Sequence, residues 1–309
     1  MDDPKVADLL RVHEEPIDTA AGLERFRVGA RGVATRPSWL ARASRPLAVA
    51  AAVAVLLAGF AVTGVADSVF KIFEAKQVAP VSVTTADLAG LPSPSQFGKM
   101  RITQQPTVTK VASAAEAAET AGFAPLIPAS VPARVPTAAE FSVISTAIGA
   151  FTFDASATPS MPAAIAGTTL TGTEGPAIVA TYGGSFDTKT KSASTPPALV
   201  IARAKAPVVT SNGASLDELR TYLLAQPGVS PQLAAQIRAI GDPASTLPII
   251  VPIDLGVSKP VTVRGAPGIF IGDSTGLGSG VIWLQDGFVN LVGGTLTESQ
   301  ILGVADSLR

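Results

Sequence analysis

The run GVIWLQDGFVNLVGG, residues 280–294, decides the fold class of this chain. Two apolar runs flank the dipeptide Asp286-Gly287, and glycine tolerates the positive φ that a tight hairpin turn requires. The run therefore predicts two antiparallel strands. Directly after it, Thr297 and Gln300 have the spacing of a capping box, which predicts a C-terminal helix.

The same kinds of signal continue upstream to about residue 111. Two further capping pairs, Ser113 with Glu116 and Ser215 with Glu218, predict helix starts, and a helical hairpin follows the second. Apolar runs separated by turn residues predict strands at FSVIST, GAFTF, TTLTGTE, PAIVATY, ALVIARAK, PIIVPI, PVTVRG and GIFIG. We expect an α+β domain, an antiparallel sheet with packed helices, over residues 111–309.

Composition excludes several classes of function. The 309 residues carry a formal net charge of −1, which gives no basic surface for nucleic acid. There is no cysteine, so disulfides and thiolate chemistry are excluded.

Residues 47–66 form an uncharged apolar run of the length that crosses a bilayer, about 30 Å as a helix. Six arginines precede the run, from Arg25 to Arg45, with no acidic residue between Glu24 and Asp67. The positive-inside rule then predicts a cytoplasmic N-terminus and an extracytoplasmic C-terminal part. A cleaved signal, cut after Ala66, is the alternative, although the apolar run exceeds the usual length of a signal's core.

The predicted organisation has four parts. Residues 1–46 form a cytoplasmic tail, acidic and then arginine-rich, and residues 47–66 form the transmembrane helix. Residues 67–110 are rich in Pro, Ser and Thr and are interpreted as a juxtamembrane segment and linker, with part of the segment lying along the domain in extended form as the alternative. The extracytoplasmic α+β domain occupies residues 111–309.

The chain lacks the usual groups for catalysis on the outer side. Its one histidine, His13, is in the predicted cytoplasmic tail, which excludes a Ser-His-Asp triad or a histidine metal site outside. The sequence GDSTG around Ser274 has nucleophile-elbow spacing, but a glycine-rich loop and a strand follow it where the elbow needs a helix. Ser68 and Lys71 have S-x-x-K spacing without a supporting motif. We therefore expect no enzyme activity, no cofactor and no metal.

The aromatic residues Phe123, Tyr182, Trp283 and Phe288 are the candidate ligand or partner contacts in an aromatic-poor chain, as is Tyr222, although such residues more often fill a core. Arg203, Lys205 and Arg264 alternate with apolar neighbours and are expected to point away from the core.

Two segments resemble a known family. The closing segment GVIWLQDGFVNLVGGTLTESQILGVADSLR and the earlier SAAEAAETAGFAPLIPASVP are similar to the extracytoplasmic domains of single-pass bacterial membrane proteins, of actinobacterial type, related to anti-sigma factors. The resemblance implies a regulatory role. A chain without cysteine lacks the zinc-associated His-Cys-Cys motif with which many anti-sigma factors hold their partner.

Two functions follow as expectations. The first is a membrane-anchored, non-catalytic sensor or regulatory protein that binds a ligand or an unknown protein partner. The alternative is an envelope accessory or binding protein, associated with a transporter or carrying an apolar ligand, with no signalling role.

Overall fold

The computed structural model describes residues 69–187, 192–195, 197–273 and 278–309. These residues are mixed α+β and mostly sheet, which confirms that part of the predicted fold class. The helices are α1 (Thr85–Gly90), α2 (Ala114–Ala121), α3 (Leu216–Leu224), α4 (Pro231–Arg238) and α5 (Glu298–Ser307), with a 3-10 turn at Pro94–Gln96. The strands are β1 (Phe70–Glu74), β2 (Gln77–Val83), β3 (Gly98–Gln104), β4 (Val108–Val111), β5 (Ala139–Ile144), β6 (Ala147–Phe153), β7 (Thr169–Glu174), β8 (Ala177–Tyr182), β9 (Ser185–Asp187), β10 (Ser192–Thr195), β11 (Leu199–Lys205), β12 (Val208–Ser211), β13 (Thr246–Pro252), β14 (Gly256–Val263), β15 (Ala266–Asp273), β16 (Ser279–Gln285) and β17 (Phe288–Gly294).

Two antiparallel sheets make up most of the fold. The larger has eight strands in the order β14-β15-β16-β17-β11-β8-β5-β4, and the smaller has five in the order β1-β12-β7-β6-β3. Two small sheets accompany them, the antiparallel pair β9-β10 and the parallel pair β2-β13.

Four stretches of chain run through both large sheets. Each leaves one sheet and enters the other after two or three residues, at 105–107, 145–146, 175–176 and 206–207. Three of these connections contain a proline, Pro106, Pro176 or Pro207. Proline has no N–H to donate to a ladder, which explains why both sheets end along this line. We call the four connections the proline seam.

Helices cover one face of the eight-stranded sheet. Ala117 and Ala121 of α2 pack on Val143 and Ile178 of the sheet. Helix α5 contributes Ile301, Val304 and Ala305 to the largest core cluster, with Trp283, Val281 and Val292 of the sheet. This face is called the helix-covered face below.

The opposite face of the same sheet is covered over β15 to β17 by the parallel pair β2-β13. Ile249 and Val251 of β13 pack against Ile269 and Ile282. Helix α4 holds the outer side of β2 because the Gln236 amide donates to the carbonyl of Ser82 at 2.7 Å and accepts from its N–H at 2.8 Å.

The five-stranded sheet has its own core. Phe151, Phe153 and Leu170 from the sheet pack with Leu219 and Tyr222 of α3. Each large sheet therefore buries a separate apolar cluster, and the shared strands connect the two.

The local predictions around the C-terminal hairpin are confirmed. β16 pairs with β17 across a turn in which Asp286 and Gly287 have φ of 54° and 77°. Thr297 and Ser215 begin α5 and α3 with complete capping boxes. Ser113 caps α2 as predicted, but the Glu116 carboxylate accepts from the N–H of Ala112 at 2.7 Å.

The linker predicted for residues 67–110 is corrected where the structure describes it. β1, β2, β3 and α1 lie in this range, and β1 and β3 are the two edge strands of the five-stranded sheet. β2 is anchored by Val81 and Val83, each 1% exposed, so this Pro- and Thr-containing segment packs as part of the fold.

The predicted tail at residues 1–46 and the predicted span at residues 47–66 lie outside the described residues. Among the residues that are described, no helix is long and apolar enough to cross a membrane.

Candidate binding site

Three polar side chains lie in one row across the helix-covered face. Asn290 of β17 is in register with Arg203 of β11 on one side and with Trp283 of β16 on the other. Side chains alternate along a strand, so Arg203 shares its face with the buried residues Leu199 and Ile201. The row therefore lies on the helix-covered face of the sheet.

Each residue of the row carries a buried polar atom without a hydrogen-bond partner. These atoms are Nε of Arg203, Oδ1 of Asn290 and Nε1 of Trp283. Asn290 is 3% exposed and Trp283 is fully buried. In the described part of the chain only one other such atom occurs, the hydroxyl of Tyr222. Buried polar groups are nearly always paired, so three unpaired groups in adjacent positions mark an unusual site.

Two aromatic rings surround the guanidinium of Arg203. Its Cζ lies 4.1 Å from the ring centroid of Phe288 and 5.9 Å from that of Phe123. The two rings contact each other with centroids 4.8 Å apart. Nη1 of Arg203 donates to the carbonyl of Ala124 at 3.0 Å. Phe123, Arg203, Trp283, Phe288 and Asn290 are called the Arg203 cluster below.

The electrostatics of the Arg203 cluster are those of a partly desolvated cation. Burial lowers the pKa of the Arg203 guanidinium, and the carboxylate of Asp286 opposes that shift. Arginine stays protonated at this position because its ordinary pKa is so high. The amide nitrogen of Asn290 donates to the carbonyl of Phe288 at 3.2 Å, which leaves Oδ1 as the unpaired group.

The cluster can therefore offer two N–H donors and one carbonyl acceptor beside two aromatic rings. Phe123, Arg203 and Phe288 are half-buried, whereas Trp283 and Asn290 are closed off beneath them. These donors and this acceptor are groups of the kind that form hydrogen bonds with a small polar group.

Three of the four predicted contact residues come together here. Phe123, Phe288 and Trp283 belong to the cluster. Tyr182 lies on the same face but opposite Leu199, four residues along β11 from Arg203 and so about 13 Å away. Burial raises the pKa of its phenol. Tyr222 lies in the core of the five-stranded sheet.

Arg203 itself was predicted to point away from the core, and the structure corrects this. Its neighbours Ala202 and Ala204 are apolar, but the buried residues are those two and four positions before it, Ile201 and Leu199. The period-two pattern of Leu199, Ile201 and Arg203 is the signal that identifies its face.

The other candidate residues do not form a site in the described part of the chain. Ser274 and Ser68 lie outside the described residues. The strands β15 and β16 that flank the GDSTG segment are antiparallel neighbours. Lys71 forms an ion pair with Glu74 at 2.8 Å. No group of three or more His, Asp or Glu side chains is placed to hold a metal ion among the described residues.

Comparison of the chain with protein-family models, with curated proteins and with solved structures gave no match. The similarity to domains related to anti-sigma factors therefore stays a prediction based on the two quoted segments.

Proposed function

We propose that the protein is a membrane-anchored extracytoplasmic sensor or regulatory protein that acts by binding and not by catalysis. The observation that carries the binding proposal is the Arg203 cluster, in which three buried polar atoms are left without partners. An unpaired buried group costs about 1–3 kcal/mol, and such a cost is typical of a site that is kept for a function.

The sequence order of the strands supports a structural connection between the Arg203 cluster and the predicted membrane span. β1 begins at Phe70, four residues after the last residue of the predicted span, and forms an edge of the five-stranded sheet. The same four stretches of chain connect that sheet to the sheet that holds the Arg203 cluster. A rearrangement at the cluster is thus linked to the anchor through covalently continuous strands.

The first test asks whether the anchor exists. We would measure the intact mass of the protein in membrane and soluble fractions of its host. Full-length protein that stays in the membrane after an alkaline wash supports the anchor. A soluble species that begins at Asp67 contradicts it and makes transmembrane signalling impossible.

The second test asks whether the cytoplasmic tail carries an output. A host without the protein is complemented with the full chain or with a chain whose residues 2–24 are replaced by Gly and Ser, so that the arginines near the span remain. If the protein is a regulator, only the full chain should restore the transcript profile. Equal restoration by both chains would favour the accessory-protein alternative.

The third test concerns the cluster. Asn290→Leu is close in shape, removes the unpaired oxygen and loses one hydrogen bond, so we expect the stability of the fold to change by about 1 kcal/mol or less. The same variant should fail to restore the transcript profile. Thr168→Val is the control for a loss of stability outside the cluster. It leaves the buried N–H of Ala214 without its 2.9 Å acceptor and should lower the free energy of unfolding by about 1–3 kcal/mol. Full restoration by Asn290→Leu would remove the cluster from the function.

A further inference from the structure

A second surface, at the end of the eight-stranded sheet farthest from the proline seam, exposes large apolar side chains. β2 and β13 run in parallel away from the seam and end at Val83 and Pro252. Helix α1 with its C-cap Leu91 follows β2, and the connection 253–255 with the first two residues of β14 follows β13. These two segments carry five of the eleven exposed large apolar residues in the described part of the chain, namely Leu88, Leu91, Ile253, Leu255 and Val257. We call them the apolar tip.

Hydrogen bonds hold the two segments of the apolar tip together. The backbone N–H of Thr85 donates to both carboxylate oxygens of Asp254, at 3.2 and 3.1 Å, and the Thr85 hydroxyl donates to the same carboxylate. The N–H of Ile253 donates to the carbonyl of Val83 at 2.8 Å. The exposed apolar side chains are therefore presented on a defined backbone.

The charge at the apolar tip is negative. Hydrogen bonds from Thr85 lower the pKa of Asp254, and hydrogen bonds from Thr84 lower the pKa of Asp87, so both carboxylates are ionised at neutral pH. Residues 84–91 and 252–257 contain no Lys or Arg.

A second pair of exposed apolar residues, on edge strand β3, differs from the tip in charge. Met100 and Ile102 on edge strand β3 are 47% and 51% exposed, comparable with the tip. Lys99 and Arg101 alternate with them. Lysine and arginine on an edge strand discourage association. The tip segments contain neither, and Lys259, which follows Val257 on edge strand β14, is paired with Glu298 at 2.7 Å.

We propose that the apolar tip is a docking surface for a partner protein that presents an apolar segment carrying Lys or Arg. Exposed apolar clusters on a folded surface commonly mark interaction sites, and the two carboxylates favour a cationic partner. A second copy of this chain would bring Asp87 and Asp254 against their own equivalents. Anionic lipid headgroups would be repelled by the same carboxylates.

This inference does not depend on a signalling role or on the Arg203 cluster. β2 alone extends the tip about 20 Å from the seam. A partner in the envelope could then reach it whether the cytoplasmic tail has an output or not.

The experiment uses the full chain in its host, with a photo-crosslinking amino acid in place of Leu255, which is 58% exposed, or in place of Ile102 as the matched control. The segment of the partner protein that becomes crosslinked at position 255 is identified by mass spectrometry and then synthesised as a peptide. Its affinity is measured against the full chain in nanodiscs, with and without Asp87→Asn and Asp254→Asn, and in 0.5 M NaCl. Asparagine keeps an acceptor oxygen for Thr84 and Thr85, so the variants should fold.

We expect an adduct at position 255 but not at position 102, with a segment that contains Lys or Arg among apolar residues. We expect its affinity to fall at least tenfold in the double variant and to weaken in high salt. No adduct at position 255, equal adducts at both positions, an adduct to lipid or to a second copy, or an affinity insensitive to charge and salt would each overturn the proposal.

Discussion

Replacing Glu174 by glutamine should change how the stability of the protein depends on pH. Glu174 is the last residue of β7, directly before the seam connection Gly175-Pro176, and is half-buried. Burial raises the pKa of its carboxyl from 4.5 to about 7. Between these two values the folded state holds a proton that the unfolded state has lost, so stability falls as the pH rises.

The size of the effect follows from the pKa. A difference of 2.5 between about 7 and 4.5, at 1.36 kcal/mol for each pKa unit, gives about 3 kcal/mol as an upper limit. Solvent reaches part of the side chain and screens it, so we expect about 1–2 kcal/mol. The stabilising contribution of the neutral carboxyl is complete below pH 4.5 and lost by about pH 7.

The assay is urea unfolding of the full chain from pH 4 to pH 8, followed by tryptophan fluorescence, to which the buried Trp283 contributes. Glu174→Gln should match the unaltered protein at pH 4 and exceed its free energy of unfolding by about 1–2 kcal/mol at pH 8. Glu119→Gln, an exposed position on α2, is the matched control and should leave the profile unchanged. Identical pH profiles for Glu174→Gln and the unaltered protein would refute the reasoning.

Three further predictions test the packing. Ser215→Ala removes the cap of α3 and should cost about 1 kcal/mol in thermal unfolding, and no loss would show that the cap is dispensable. Gly294→Ala would place a Cβ against the carbonyl oxygen of Ala198 and should cost about 1–3 kcal/mol, whereas an unchanged melting temperature would contradict this close approach. Gln236→Leu frees the N–H and carbonyl of Ser82 and should speed hydrogen exchange in β2, and unaltered exchange would contradict the bridging role of the amide.

Local signals in the sequence predicted much of the eight-stranded sheet. Asp286-Gly287 forms a hairpin turn between Gln285 and Phe288, which are three residues apart. Ser215 and Thr297 begin helices through hydrogen bonds to residues three positions later. Such turns and caps depend only on residues that are close in the chain, so they can be recognised in a single sequence.

The strands β1 to β3 were missed because their partners are remote. β2 contains Pro80 and pairs in parallel with β13, and no turn signal connects the two. Its burial comes from β13 and α4, which the local pattern does not contain. Tertiary contacts of this kind override weak local preference.

The Arg203 cluster was predictable only in part. Aromatic scarcity pointed to Phe123, Trp283 and Phe288, but the cross-strand register that places Asn290 between Arg203 and Trp283 depends on the order of three strands. A sequence contains no direct record of strand order, so the row of unpaired groups became visible only in the structure.

The parallel pairing of β2 with β13 also affects how the protein is made. Gln77 and Thr246, at the start of this pair, are 169 residues apart in the chain. Closing a loop of that length costs about 4–5 kcal/mol of chain entropy before the pair returns any contact energy. Because β2 precedes its partner during synthesis, it must wait until residue 252 has been made and, in an exported protein, delivered to the same compartment. Until then Val81 and Val83 have no partner strand, and an apolar strand in that state is exposed to pairing with other chains.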